Sequence, residues 1–400
     1  MPRLPNGSDM IEVVNVSQPD FGRPEAAAVQ AVLASHWVGM GPKTAAFEAA
    51  LAERIGVRHV IATSSCTAAM HLALAALDPD SRNEIIVPSL TFVATIQAIF
   101  LAGYQPVFTE VRPDTLTVDC EDAARLLNHR TRAILPVHYA GQPCDMNQLR
   151  RLAVRAGIEI IADGAHAFGS TFHGIPLGRQ GTATCFSFSS NKNISCGEGG
   201  AVATPSATMA ARLKKLRFLG ISHHTWERRT QAKPWHYTVT GPGFRYHMSD
   251  INAAIGLAQL ERLEEFARKR RQIAAAYDAG LDGLPWLLPV KRNLRHTIPH
   301  LYVLRVTNGL RDALYTSLRA KGIVCGVHYR PNHQQPAFKD FARSLPVTEA
   351  LADQIISLPL HTGMDSSQVE RVITQVSHFL KRACRPSSRG KKRAKKGTAP

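Results

Sequence analysis

Lys192 lies in the run Cys185-Phe-Ser-Phe-Ser-Ser-Asn-Lys-Asn-Ile-Ser-Cys-Gly-Glu-Gly-Gly200, after a short alternating stretch and before a glycine-rich turn. Asp163 closes a second apolar stretch, Ile158-Glu-Ile-Ile-Ala-Asp163. An amine and a carboxylate at the ends of two strands can divide one chemical task. The amine can form a Schiff base with an aldehyde, and the carboxylate can face a pyridinium nitrogen. That division of labour suits pyridoxal 5'-phosphate (PLP). One lysine in a chain with 48 Lys+Arg means little by itself, and a solvated loop lysine is the plain alternative.

Other residues strengthen the reading. In Thr63-Ser-Ser-Cys-Thr-Ala-Ala, small hydroxyl residues join a strand to a helix, whose start offers free N–H groups and a positive dipole end to a phosphate. Cys66 and Thr67 would donate backbone N–H bonds there; an ordinary N-cap by Ser64 or Ser65 is the competing reading. Ser187, five residues before the lysine, can also bond a phosphate. Phe92 is placed to stack on a flat ring, or else to fill the core. A carboxylate at the buried end of a strand is costly unless a cation meets it, and a protonated pyridine nitrogen is such a cation; a helix N-cap is the other use for Asp163. His166 can reach the ring's 3'-oxygen or cover a ring face. Gly197, Gly199 and Gly200 permit a tight turn beside the lysine.

Alternating elements must position these groups. Helical text runs from Pro24, breaks at Gly39-Met-Gly-Pro42, and resumes through Phe47. Strand-like runs at 59–63, 84–87, 105–108, 132–137, 158–163, 183–188 and 200–204 are separated by helical segments near 68–76, 95–102, 121–127 and 146–156. That alternation predicts an α/β fold with a mostly parallel sheet covered by helices, whose strand carboxyl ends face the ligand. One long helix is expected over 250–271, then strands at 302–306 and 322–329 and helices near 310–321 and 367–381, giving a small α+β C-terminal domain. The boundaries read as a flexible arm over 1–10, a large domain over 11–255, a small domain over 256–381 and a disordered basic tail over 382–400.

Composition limits the alternatives. Four hundred residues exceed one small core, and 44% hydrophobic content is ordinary for a folded protein. No apolar window is long enough to span a membrane, and the N-terminus lacks a signal-peptide core, so a cytoplasmic location is expected. Seven cysteines without a Cys-x-x-Cys pair argue against a disulfide framework or a zinc ribbon, and no metal site is expected. The net charge is +17, but nine of those charges fall within residues 381–400, which contain no acidic residue. Nucleic acid is therefore expected only as a nonspecific partner of the tail.

Taken in order along the chain, the motifs resemble a family. Trp37-Val-Gly-Met-Gly-Pro42, Ser65-Cys-Thr-Ala-Ala, Val87-Pro-Ser-Leu-Thr-Phe-Val-Ala-Thr, Val137-His-Tyr-Ala-Gly-Gln-Pro, Asp163-Gly-Ala-His-Ala, the Lys192 run, Gly243-Phe-Arg-Tyr-His-Met-Ser-Asp and His328-Tyr-Arg-Pro-Asn-His333 are similar to segments of the DegT/StrS-type PLP-dependent sugar aminotransferases. These belong to the aspartate-aminotransferase fold superfamily. The resemblance spans about Val16 to Leu380 and implies that Lys192 carries the cofactor and Asp163 partners its ring nitrogen. Cys66, Thr67 and Ser187 would then hold the phosphate, and Phe92 would pack on the ring. It also implies a homodimer in which the partner's Gly243–Tyr246 segment completes each site. Arg245 stands where many members have asparagine and can still reach a phosphate. His328 and Tyr329 fall at the substrate end, where Arg330 and Asn332 interrupt the usual pattern. The implied substrates are an amino acid, glutamate, and a nucleotide-linked ketosugar, with the Ser65-Cys-Thr-Ala-Ala and Val137-His-Tyr-Ala-Gly forms most like members acting on 4-keto sugars of UDP. Two competitors stand beside this reading. One is a PLP-dependent sugar dehydratase, in which histidine replaces the lysine; the other is a non-catalytic regulatory or nucleic-acid-binding homologue.

Overall fold

The protein is described by a computed structural model over residues 12–78, 80–229 and 231–384. The expected N-terminal arm and residues 385–400 of the expected basic tail lie outside the described residues. The first helices are α1 (Arg23–Ala34) and α2 (Pro42–Ile55), each with proline in its first turn, where no helical N–H is lost. Strand and helix then alternate: β1 (His59–Thr63), α3 (Cys66–Ala75), β2 (Glu84–Pro88), α4 (Val93–Leu101), β3 (Gln105–Thr109), α5 (Cys120–Leu126), β4 (Thr131–Ile134), α6 (Met146–Ala156) and β5 (Glu159–Asp163). A small hairpin, β6 (Thr171–Phe172) with β7 (Ile175–Pro176), precedes β8 (Ala183–Ser187), β9 (Gly200–Thr204), α7 (Ala207–Arg217) and α8 (Thr225–Arg228).

Seven strands form one sheet in the order β1-β9-β8-β5-β4-β2-β3. The pairs from β8 to β3 are parallel, and only β9 runs against its neighbours. The sheet is mostly parallel, as expected. β2, β8 and β9 are buried along their whole length, whereas Gln105 at the start of the edge strand β3 is exposed; burial on both faces is why the inner strands read as near-continuous apolar runs. Side chains alternate between two cores. Ile61, Cys185 and Val202 pack with α3 and α4 residues on one side, while Val60, Ala62, Phe186, Ala201 and Ala203 pack with Phe47 and Leu51 of α2 on the other. Because β1, β2, β5 and β8 point the same way, Thr63, Pro88, Asp163 and Ser187 end at one edge of the sheet.

The second half differs from expectation in two places. The long helix over 250–271 is instead α9 (Asp250–Glu261) and α10 (Leu263–Leu281), broken at Arg262 (φ −93°, ψ 0°). Neither glycine nor proline marks the break. The Arg262 guanidinium is drawn back to the start of α1, where it bonds Asp20 and Glu25. The second difference concerns 322–329, which is not a strand. Two isolated bridges hold it, Val14 with Ile323 and Gly326 with Ser357. The chain then leaves the sheet edge to carry Tyr329 to the cavity described below. The remaining elements are β10 (Leu287–Leu288), β11 (Tyr302–Val306), α11 (Arg311–Arg319), α12 (Pro346–Ala352), β12 (Ile355–Leu358) and α13 (Ser366–Ala383). The three strands form an antiparallel sheet whose core includes Tyr277, Val306, Leu314, Ile356, Val372 and Val376.

Candidate active site

A cavity of about 190 Å³ opens at the carboxyl edge of the large sheet. At one end lies the start of α3. Ser65 caps this helix, its hydroxyl accepting the Ala68 N–H at 3.1 Å. The Cys66 and Thr67 N–H groups belong to the first turn, where helix geometry supplies no acceptor, and both residues line the cavity. The turn fits only because β9 begins with glycine. A Cβ on Gly200 would lie 2.4 Å from the Ser65 carbonyl carbon and 2.5 Å from the Cys66 nitrogen. Ser187, at the end of β8, lines the same region. This is a seat for an anion.

Asp163 sits across the cavity, 4% exposed. Its Oδ1 accepts the Ala165 N–H at 2.9 Å, and its Oδ2 accepts the Thr95 hydroxyl at 2.8 Å. Thr91 Oγ1 lies 2.9 Å from Thr95 Oγ1, extending the chain of hydroxyls. Burial pushes the Asp163 carboxyl above its ordinary value, against the pull of Ala165, Thr95 and Lys192. A buried carboxylate held by two neutral donors is a site for a cation.

The Lys192 side chain enters from the loop after β8. Burial lowers its affinity for a proton, while Cys66 and Asp163 oppose that shift. Its Nζ lies 3.5 Å from His300 Nε2. On the same wall, His166 Nδ1 accepts the Ala140 N–H at 3.2 Å. A nitrogen that accepts carries no proton, so the neutral ring is protonated at Nε2, which faces the Tyr329 hydroxyl at 3.2 Å. Burial holds His166 neutral, reinforced by Lys192 and His328. Tyr329 can then accept from His166 and point its own O–H elsewhere. Phe92 caps α4 at the mouth, 54% exposed, with its ring 5.5 Å from that of Tyr329.

The cavity thus brings together Cys66, Thr67, Phe92, Asp163, His166, Ser187, Lys192 and Tyr329. It does not bring His328 or Arg245 to its wall. His328 turns to Ser357, with Nδ1 and Oγ 2.9 Å apart, and fixes the segment that delivers Tyr329. Arg245 is exposed on its own chain. Asn332 is also structural, its amide holding the Ser89 and Thr91 carbonyls at 3.1 and 2.7 Å. Sequence reasoning overlooked Thr95, His300 and Arg270. Thr95 had a signal, standing one helical turn after Thr91; Arg270 had another, a lone charge among Phe266, Ala267, Ile273 and Ala274 on an apolar helix face. His300 had none.

The donor set fits PLP: an anion seat, a carboxylate for a ring cation and a buried amine converge on one cavity. The sequence profile of the DegT/DnrJ/EryC1/StrS aminotransferase family matches residues 19–377. Among solved structures, the aminotransferase TlmJ from Streptoalloteichus hindustanus is similar at 34% identity and a TM-score of 0.87, covering 93% of this chain and 100% of its own. The sugar aminotransferase CalS13 from Micromonospora echinospora is 31% identical, with a TM-score of 0.85 over 91% of this chain and 99% of its own. Spr1654 from Streptococcus pneumoniae in its PMP form is 28% identical, with a TM-score of 0.87 over 92% of this chain and 99% of its own. Spr1654 has also been solved in a PLP form.

Proposed function

The chain belongs to the DegT/DnrJ/EryC1/StrS aminotransferase family, and from that premise we propose that it passes an amino group from glutamate to the keto carbon of a nucleotide-linked sugar, a 4-keto sugar of UDP, with PLP as carrier. The observation that carries the reading is the convergence of the Lys192 amine, the Asp163 carboxylate and the α3 N-terminus in one cavity. Bound PLP supplies an electrophilic carbon, C4', and an electron sink for charge developing at the amino-acid Cα. Lys192 would hold the cofactor, and its free Nζ, as an uncharged amine, would take up and return a proton at the reacting carbon. Burial of its Nζ favours that uncharged state. Asp163 would keep a proton on the ring nitrogen, and the Thr95 hydroxyl holds Asp163 in place for it. Cys66, Thr67 and Ser187 would hold the phosphate, Phe92 would pack on the ring, and the Tyr329 hydroxyl would donate to the cofactor or the sugar.

The sugar acceptor is supported by the likeness to CalS13, a sugar aminotransferase. Glutamate, UDP and carbon 4 rest on the motif resemblance. The outward position of Arg245 supports its serving the cavity of a second copy in a homodimer. The test uses PLP-loaded protein, glutamate labelled at its amino nitrogen, and a panel of nucleotide-ketosugars, read by mass spectrometry. The expected products are a UDP-aminosugar carrying the label and 2-oxoglutarate. Absence of label from every sugar in the panel would remove the substrate assignment.

A further inference from the structure

We propose that His300 is a positioning residue for Lys192: its Nε2 takes hold of the lysine amine whenever that amine is not bonded to the cofactor, and keeps it beside the reacting carbons. The proposal rests on the reading above, in which Lys192 is the cofactor-bearing lysine. Transamination requires that lysine to leave the cofactor, do its work as a free amine and return. A free lysine side chain has many rotamers, and a fixed partner restricts them.

His300 is such a partner. Its Nε2 stands 3.5 Å from Lys192 Nζ, the outer limit of a hydrogen bond, so a small movement of a flexible side chain closes the contact. The histidine itself is fixed. It is 4% exposed, its backbone N–H donates to the Ala140 carbonyl at 3.0 Å, and its ring lies 4.4 Å from that of His166. The buried Arg270 guanidinium holds the carbonyls of Pro299 and His300 at 3.4 Å and that of Leu360 at 3.1 Å. Asn193, the residue after the lysine, reaches back with its amide to the carbonyls of Phe168 at 3.1 Å and Ile298 at 3.5 Å. The loop that carries the lysine and the segment that carries the histidine are therefore fastened to each other.

The chemistry of the site favours imidazole over other acceptors. A carboxylate here would stabilise the ammonium form of Lys192 and stop it from accepting a proton at Nζ. A neutral ring can hold the amine without charging it. Burial keeps His300 neutral, reinforced by Lys192, His166, Arg270 and His328. For Nε2 to accept, the neutral ring must carry its proton at Nδ1, which has no hydrogen-bond partner among the described residues. A proton taken at Nε2 would have no exit on the far side. Proton transfer thus stays with Lys192, and His300 sets where its amine waits.

The test compares His300→Leu, which removes the acceptor, with His300→Gln, which keeps one within reach. In cofactor-free protein, His300→Leu should capture added PLP roughly tenfold more slowly, with the same final stoichiometry. In the loaded enzyme its kcat should fall by roughly tenfold to a hundredfold, with the KM for glutamate little changed. The isotope effect with glutamate deuterated at Cα should rise, since proton transfer becomes slower. His300→Gln should recover most of each loss. Should His300→Leu fail to fold, His300→Asn, which keeps an amide too short to reach Nζ, should show the same deficits. Wild-type capture rate, kcat and isotope effect in a folded His300→Leu would overturn the proposal. So would equal deficits in His300→Gln and His300→Leu at full cofactor content. If the wild-type protein carried PLP on another lysine, the Lys192 assignment itself would fall, and peptide mapping would distinguish that failure from the others.

Discussion

Asp163 and Thr95 illustrate how the site works at the scale of single residues. In the proposed role, a carboxylate buried to 4% exposure would have to stay ionised to meet a ring nitrogen, yet burial pushes it toward protonation. The Thr95 hydroxyl opposes that push at 2.8 Å. A hydrogen bond to a charged group contributes about 1.5–3 kcal/mol. Thr95→Val keeps the shape and removes the donor, so Asp163 should take up its proton more readily and hold the ring less well. PLP affinity, followed by absorbance on titration, should fall about tenfold, matching about 1.4 kcal/mol. Unchanged affinity would show that Thr95 only packs. At this scale the sequence was readable where a residue closed a strand, as Asp163 and Ser187 do, or followed one closely, as Lys192 does. It was silent on His300, because nothing in Ile298-Pro-His300 announces that Arg270 and Asn193 will draw the segment to the lysine.

Elements convert those residues into an edge. The segment between β4 and α6 carries His138, whose Nδ1 accepts the Cys144 N–H at 3.1 Å in a fully buried setting. Burial lowers the His138 pKa to about 4, while an unfolded histidine titrates near 6.5. Between those values the unfolded chain binds the extra proton. The stability from neutral His138 is therefore complete above about pH 6.5 and is lost as pH falls toward 4, by up to about 3 kcal/mol. Urea unfolding from pH 7.5 to 4.5 should show a steep acid limb that is shallower in His138→Gln; identical slopes would refute this assignment. The inner strands of the large sheet were legible because burial on both faces leaves long apolar runs between helices. The second half was harder. β10 has two residues, Arg262 breaks a continuous helical pattern through contacts with the distant Asp20 and Glu25, and 322–329 has strand-like composition but only two bridges. Those outcomes depend on tertiary contacts that local pattern does not encode.

At the scale of the whole molecule we propose a large folding unit around the seven-stranded sheet and a small one around the three-stranded sheet; the boundary expected at 255/256 falls inside α9 (Asp250–Glu261), and Val14, expected in the large unit, lies in the core of the small sheet. The cavity draws on both units, since Tyr329 closes a wall otherwise built by the large sheet. Val14, which pairs with Ile323 and joins the core of the small sheet, links the N-terminal end of the described chain to the second unit. No described helix is long and apolar enough to cross a membrane. The proposed function depends on Lys192 being the residue that carries the cofactor. Reducing the PLP-loaded protein with borohydride, digesting it and mapping the adduct by mass spectrometry tests this most directly. The phosphopyridoxyl mass should appear on the peptide containing Lys192 and vanish in Lys192→Ala. An adduct on a different lysine, or none on the wild-type protein, would contradict the account.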